Sequence, residues 1–169
     1  MTRPNTTEAA DYYFKYIDLI TSDDIVPAIE NQMGEMLQLL SGISEEQSLH
    51  SCAPGKWTIR ELLNHVNDGE RIFAGRALWF ARGFNDPLPS FEQDIAVENA
   101  HANNTSWADL VEEFKNVRLS TISFIKSLPD EAWNRTGVAS DNPVSVRAIA
   151  YIIAGHVAHH ISVLREKYL

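Results

Sequence analysis

Two histidines near the C-terminus lie four residues apart within an apolar stripe of helical period. Because residues four apart lie one above the other on a helix, His156 and His160 can direct their imidazoles at one point. The stripe that they share also contains Ile149, Ile153, Val163 and Leu164. This pattern predicts that both rings face the interior. The chain is therefore expected to bury a helix that carries two polar rings, and such rings need partners.

A third histidine has the same setting. His65 lies on a predicted helix, on the stripe formed by Leu62, Gly69 and Ile72. A divalent metal would give three converging neutral imidazoles the partner that their ring nitrogens need. Three protein ligands, with one position left for water or substrate, are typical of catalytic rather than structural sites. The sequence therefore predicts one metal held by His65, His156 and His160.

The identity of that metal does not follow from its ligands. Imidazole nitrogen suits zinc, nickel, iron and copper alike. We expect zinc or nickel at the three histidines, with iron as the alternative.

Helix caps and helical periodicity divide the chain into four long helices. The strongest local signal is a capping box in which Thr58 and Glu61 satisfy each other's free backbone N–H groups. The predicted helices run over about 24–40, 58–82, 106–128 and 145–169. Four helices of this length match a four-helix bundle, in which metal sites form between facing helices.

The segments outside these helices are predicted from composition. Residues 1–22 are rich in aromatic side chains and are expected to pack as a strap. Residues 83–105 read as a long crossover loop with a short helical stretch over about 92–100. Because no strand-like alternation competes with helix, we predict an all-α fold in one domain that spans residues 1–169.

Charge and cysteine content exclude several classes of protein. The 14 Lys and Arg residues against 23 Asp and Glu give a net charge of -9, which disfavours a nucleic-acid partner. Neither a signal peptide nor a run of about 18 apolar residues is found, so no membrane partner is expected. The single Cys52 excludes an internal disulfide and favours a reducing compartment, and we expect a cytoplasmic protein. A catalytic role for Cys52 is less favoured than an inert one.

Three further side chains are candidates for the site. Asp68 lies one turn beyond His65, where it is either a general base or hydrogen-bond partner of a ligand, or a solvent-facing acid. Arg76 shares the face of His65, where it either binds an anionic group of the substrate or packs at a helix interface. His159 points about 100 degrees away from His160, and we assign it to supporting a ligand or to an interface.

The ordered set of motifs resembles the DinB/YfiT-like metalloenzyme superfamily. The motifs are residues 53–65 (APGKWTIRELLNH), 127–133 (SLPDEAW) and 155–160 (GHVAHH). The resemblance covers nearly the whole chain, and it implies an up-down-down-up bundle, often a homodimer, with one divalent metal on His65, His156 and His160. The chain departs from the family pattern at Cys52, where an aromatic residue is expected.

The resemblance also implies a class of reaction. Characterised members include bacillithiol and mycothiol S-transferases and the mycothiol-dependent maleylpyruvate isomerase. The leading hypothesis is therefore a thiol-dependent S-transferase, in which the open metal position binds a small-molecule thiol that attacks an electrophilic substrate. The alternatives are a hydrolase that activates water at the same position, and a metal-binding or dimerisation module without chemistry.

Overall fold

A computed structural model describes residues 2–169, and in this part of the chain four long helices each begin at a side-chain cap. Asp24, Thr58, Ser106 and Ser145 each accept a hydrogen bond from a backbone N–H in the first turn of the following helix. At Thr58 the predicted capping box is complete, because Glu61 also accepts from the backbone N–H of Thr58. The long helices thus begin where the sequence predicts.

The described residues form six α-helices, three short 3-10 turns and two strands. The α-helices are α1 (Asp11–Ile17), α2 (Ile25–Ser41), α3 (Ile59–Ala81), α4 (Gln93–Ala100), α5 (Trp107–Lys126) and α6 (Val146–Lys167). The 3-10 turns are Gln47–Leu49, Ala102–Asn104 and Asp130–Asn134, and the strands are β1 (Thr136–Ala139) and β2 (Asn142–Ser145). The predicted all-α bundle is confirmed, with one small hairpin in addition.

The contacts at the helix ends give the directions of the four long helices. Trp107, at the start of α5, donates to the carbonyl of Leu40 near the end of α2, so these helices are antiparallel. Tyr168, just after α6, donates to the carbonyl of Trp57 just before α3, so this pair is also antiparallel. Tyr151, early in α6, donates to the backbone just before α2. The order along the chain is therefore up-down-down-up, as the family resemblance implies.

The bundle core has a polar layer at its centre. One buried apolar cluster contains Ile29 and Ile122, the other contains Met36 and Phe114, and both clusters draw on α2, α3, α5 and α6. On three of these helices, buried polar residues separate the part of the helix that belongs to one cluster from the part that belongs to the other. These residues are Gln32, Asn67, Glu70, Arg118 and Thr121. The fully buried guanidinium of Arg118 lies 3.0 Å from the Glu70 carboxylate. Within residues 2–169, no helix has the length and hydropathy needed to cross a membrane.

The hairpin between α5 and α6 is the element that sequence reasoning missed. Its strands are four residues long and pair antiparallel, with Thr136 opposite Ser145. The turn is made by Ser140 and Asp141, whose φ angles of 53° and 62° lie in the left-handed region. Two left-handed residues define a type I′ turn, for which Asn-Gly is the usual signal. Neither Asn nor Gly occupies these two positions, so the sequence lacks the usual signal of the turn. The prediction that the chain forms no strand was wrong here.

The N-terminal segment packs across the last helix. Residues 11–17 form α1, which contacts α6, while Glu8 pairs with Arg147 at 2.6 Å. The close approach depends on Gly155, since a Cβ there would lie 2.1 Å from the backbone oxygen of Tyr16. A residue without a side chain in α6 therefore fixes how near α1 can come.

Replacing Gly155 by alanine is expected to lower the free energy of unfolding. The new methyl group has no space, so α1 must shift, and overpacking of this kind costs about 1–3 kcal/mol. Gly34→Ala in α2 is the matched control, because a Cβ there meets nothing within 4 Å and alanine favours helix by up to about 1 kcal/mol. Urea denaturation measures both. Equal stability of Gly155→Ala and the unaltered chain would contradict this account of the α1 contact.

Candidate metal centre

Three histidines from two helices meet in the bundle interior. His65 comes from α3, and His156 and His160 lie one turn apart on α6. The Nε2 atom of His156 lies 3.1 Å from Nε2 of His65 and 3.1 Å from Nε2 of His160. All three residues are buried, and one ring nitrogen of each lies within 4.8 Å of the others. This triad is the convergence that the helical periodicity predicts.

The donor set fits a divalent metal ion. Each neutral imidazole offers one in-plane lone pair, and a shared proton can join two of these nitrogens but not all three. Zinc–nitrogen bonds of about 2.0–2.1 Å in a tetrahedral site place neighbouring nitrogens about 3.3 Å apart. The observed 3.1 Å separations are close to that spacing. A metal ion would therefore satisfy three ring nitrogens that a single proton would not.

The electrostatics of the triad favour the neutral form that binds metals. Burial lowers the pKa of His65 to about 4 and that of His156 to about 3, and it holds the pKa of His160 well below its ordinary range. Neighbouring histidines lower these pKa values further, whereas the carboxylate of Asp94 partly opposes the shift at His65. At neutral pH protons therefore do not compete with a metal for the triad.

The metal-free protein is expected to lose stability as the pH falls from about 6.5 through about 4. Each triad pKa is lower in the folded chain than the ordinary 6.5, so the unfolded chain binds more protons in this window. The stabilisation is complete above pH 6.5 and is lost at up to about 1.4 kcal/mol per pH unit for each histidine.

Urea denaturation of chelator-treated protein at pH 7, 6 and 5 checks this pH dependence. The slope of the free energy of unfolding against pH should be smaller in His160→Asn. It should be unchanged in the control His101→Asn, where an exposed histidine has a left-handed φ of 50° that asparagine tolerates. Equal slopes in all three proteins would mean that the triad does not carry the effect.

The rings of the triad are held by close packing. Gly69 faces His156, and a Cβ at Gly69 would lie 3.0 Å from Cε1 of that ring. Aromatic rings cover the other sides: Trp57 lies 4.9 Å from His65, while Tyr16 and Phe73 lie 5.5 Å and 5.8 Å from His156, centroid to centroid. These contacts fix the ring orientations and limit the access of water.

Two cavities adjoin the triad. The tyrosine cavity, of about 150 Å³, is lined by Tyr12, Tyr13, Tyr16, His65 and His156, among others. The lysine cavity, of about 590 Å³, is lined by residues that include Lys56, Lys167, Asp94, His159 and His160. Gln93 of α4 lines both cavities. The triad therefore borders two separate spaces of different size and lining.

Two of the other three predicted site residues line a cavity at the triad, and the third does not. His159 is exposed, lines the lysine cavity, and lies 5.1 Å from the His160 ring. Arg76 is buried and lines the tyrosine cavity. Asp68 accepts a hydrogen bond from Asn64 at 2.8 Å and lies 3.6 Å from Arg71, and it lines neither cavity. A direct part for Asp68 in chemistry stays a prediction without a contact to support it.

Several cavity residues escaped sequence reasoning. Tyr16 comes from the strap, Gln93 and Asp94 come from the short helix α4, and Ser140 comes from the hairpin turn. The cluster of aromatic residues at 12–16 and the predicted short helix were signals of these segments, but neither indicates which face meets the histidines. Cys52, which is half-buried, lines the lysine cavity as well.

Comparison with known proteins identifies similar sequences and folds. The model of the DinB superfamily matches residues 28–164. Among curated proteins, none matches this sequence significantly.

Two solved structures resemble this one closely in fold. YfiT from Bacillus subtilis, described as "a probable metal-dependent hydrolase with an unusual four-helix bundle topology", gives a TM-score of 0.74 at 14% identity, over 96% of this chain and 89% of YfiT. The mycothiol-dependent maleylpyruvate isomerase gives a TM-score of 0.70 at 14% identity, over 86% of this chain. This chain matches only 61% of the isomerase chain. At such low identity the likeness establishes the shared fold and not a shared reaction.

Proposed function

Because the chain belongs to the DinB superfamily, we propose that it is a divalent-metal-dependent enzyme and, more specifically, a thiol S-transferase. His65, His156 and His160 would hold the metal, with zinc or nickel expected and iron as the alternative. When bound, such an ion supplies Lewis acidity and lowers the pKa of a thiol or a water at the open position. The isomerase of similar fold is described as mycothiol-dependent, which agrees with a thiol as co-substrate.

The observation that carries the proposal is the pair of cavities at the triad. A transferase has to bring two substrates to one reacting centre, whereas a hydrolase needs room for one substrate and a water molecule. His160 borders the lysine cavity, while His65 and His156 border the tyrosine cavity. The lysine cavity, at about 590 Å³, falls in the usual size range for sites that bind small molecules and cofactors. We assign the thiol to the lysine cavity and the electrophile to the tyrosine cavity.

The side chains of the lysine cavity suit an anionic thiol. Lys56 and Lys167 supply positive charge that attracts carboxylates of the co-substrate, and Trp57 offers an apolar wall. The S–H bond of the thiol breaks as its sulfur forms a bond to an electrophilic carbon, and the leaving group departs from that carbon with the bonding electron pair. The thiol proton then needs an acceptor. Partial desolvation at the rim of the lysine cavity lowers the pKa of His159, which favours the neutral ring that could take that proton.

Hydrolysis is the second candidate, because YfiT is described as a probable hydrolase. The same neutral triad would serve that reaction, with water in place of the thiol. A metal-binding module without chemistry remains the third reading, although two cavities at the triad are not needed for such a role. A homodimer and a cytoplasmic location stay predictions from the resemblance and the sequence.

Thiol dependence of turnover distinguishes these candidates. Untagged protein loaded with zinc or nickel is incubated with 1-chloro-2,4-dinitrobenzene and, in turn, cysteine, N-acetylcysteine, glutathione and bacillithiol. We expect adduct formation above the uncatalysed rate with at least one thiol, and loss of that rate after chelation. Metal-dependent hydrolysis of p-nitrophenyl acetate that is unchanged by thiols, with no adduct formed, would favour the hydrolase. Absence of both reactions in metal-loaded protein would favour the module.

A further inference from the structure

Arg76 is a buried cation without a carboxylate partner. Only 7% of its surface is exposed. The other buried arginines of the described chain, Arg60 and Arg118, pair with Glu45 and Glu70, but no acidic group of residues 2–169 lies within 4.0 Å of the Arg76 guanidinium. A buried charge is normally paired, since its desolvation is otherwise costly. The guanidinium therefore has a position at which an anion from outside the protein could pair with it.

The guanidinium of Arg76 has donors to spare. Its Nη2 atom donates to the carbonyl of Pro89 at 2.6 Å and to the hydroxyl of Ser140 at 3.1 Å. Neither Nε nor Nη1 donates to any other residue within 2–169. A guanidinium carries five N–H donors in a planar fork that matches a carboxylate. The two contacts of Nη2 thus orient the side chain and leave part of the fork free.

The cavity that Arg76 lines also contains triad residues. His65 and His156 form part of the wall of the tyrosine cavity, and Ser140 joins Arg76 there. Ser140 is the first residue of the hairpin turn, with a φ of 53°, so the turn brings its hydroxyl to Arg76. Helix α3 and the hairpin turn therefore place two polar groups in the space that borders the candidate metal.

The size and lining of the tyrosine cavity limit the ligand. Its aromatic wall is made by Tyr12, Tyr13, Tyr16, Phe73 and Phe91. A volume of about 150 Å³ can hold a molecule the size of benzene, and the tyrosine cavity has this volume. Aromatic walls favour a flat, apolar body through edge and face contacts. The ligand that fits is a single planar unit with an anionic group at the Arg76 end.

We propose that Arg76 binds the carboxylate of the electrophilic substrate in the tyrosine cavity, and that this substrate is a small planar carboxylic acid about the size of benzoate. The assignment rests on the proposed function for its second substrate. It also gives the otherwise unpaired guanidinium the counter-ion that its burial requires. Arg76 would hold the substrate by its carboxylate and direct the other end of the molecule along the wall that contains His65 and His156.

Calorimetric titration with benzoate and benzamide tests this proposal on the metal-loaded protein. The two probes share shape and differ in charge, so benzoate should bind at least about tenfold more tightly. Arg76→Met should remove that preference, and Arg76→Lys should keep part of it because the charge remains. The matched control is Arg82→Met, an exposed arginine just after the same helix, which should leave both affinities unchanged.

Three results would overturn the proposal. These are equal affinity for benzoate and benzamide, unchanged benzoate affinity in Arg76→Met, and no detectable benzoate binding up to about 10 mM. The comparison of the two probes needs no variant, so a folding defect in Arg76→Met leaves it intact. Benzoate that binds the metal instead of Arg76 would keep its affinity in Arg76→Met and lose it on chelation. Metal content and thiol turnover are measured separately, so failure here leaves the transferase proposal standing. Failure of the transferase proposal, with benzoate still bound through Arg76, would leave a carboxylate site but would overturn its assignment to an electrophilic substrate.

Discussion

Substitution of His156 by alanine is expected to abolish metal binding and turnover together. The Nε2 atom of His156 lies 3.1 Å from the corresponding atoms of both His65 and His160, so it would be the ligand that links the other two. Removing a residue that only supports a metal ligand costs about 10–100-fold in metal affinity. Removing a ligand itself should lower the metal affinity by more than about 100-fold. The His156→Ala variant is therefore expected to contain no metal after purification. Chelation of the unaltered chain should reproduce the loss of activity of this variant.

Metal content per chain, measured by mass spectrometry on untagged protein, checks this expectation. About one metal per chain is expected for the unaltered protein, with strong losses in His65→Ala, His156→Ala and His160→Ala. The exposed His101 supplies the control, because His101→Asn should keep full occupancy. Full metal in His156→Ala would refute the three-histidine assignment. Circular dichroism of each variant separates loss of metal from loss of fold.

Glu70→Gln is expected to lower the free energy of unfolding by about 3–5 kcal/mol, because it leaves the buried Arg118 without a counter-ion. The two charges lie 3.0 Å apart with almost no exposure. Burial raises the pKa of Glu70 and lowers that of Arg118, and the opposite charge counters both shifts. Since a guanidinium stays protonated in proteins, the carboxylate has to remain as its partner.

Urea denaturation of three proteins tests the role of this pair. Glu112→Gln, which breaks the exposed pair with Lys115, should cost no more than about 1 kcal/mol. The double variant Glu70→Leu/Arg118→Met should recover most or all of the stability lost in Glu70→Gln, because a packed apolar pair carries no desolvation cost. A loss in Glu70→Gln as small as in Glu112→Gln would show that the buried charge finds another partner.

The parts of this fold that follow from the sequence are those that depend on local signals. Each long helix begins at a cap read from one or two residues, such as Thr58 with Glu61. The convergence of the triad follows from helical period combined with an apolar stripe, which needs only the knowledge that His65, His156 and His160 all face inward. Contacts within a turn or along one face can be inferred without knowing the rest of the chain.

The parts of the fold and site that could not be predicted from the sequence depend on contacts between different elements of the structure. Asp68 lies three residues from His65, but its carboxylate is held by Asn64 and Arg71, and Arg71 reaches Glu113 of α5. The ring of Tyr16 lies against His156 only because Gly155 lets α1 approach α6. The hairpin gave no signal, since its strands are short and its turn lacks the usual residues. The contacts of Arg71 with Glu113 and of Tyr16 with His156 depend on how the helices dock, which helical periodicity does not specify.

The packing of α1 on α6 and the spread of the triad along the chain have a consequence for biosynthesis. His65 emerges from the ribosome well before His156 and His160, and at usual rates of synthesis the delay is roughly 5 to 20 seconds. During that time the nascent chain holds one histidine of the triad, and Tyr16 has no α6 to dock against. On the proposed ligand set, binding of metal to the complete triad would follow translation of α6, and the nascent chain would reach that stage without the ion.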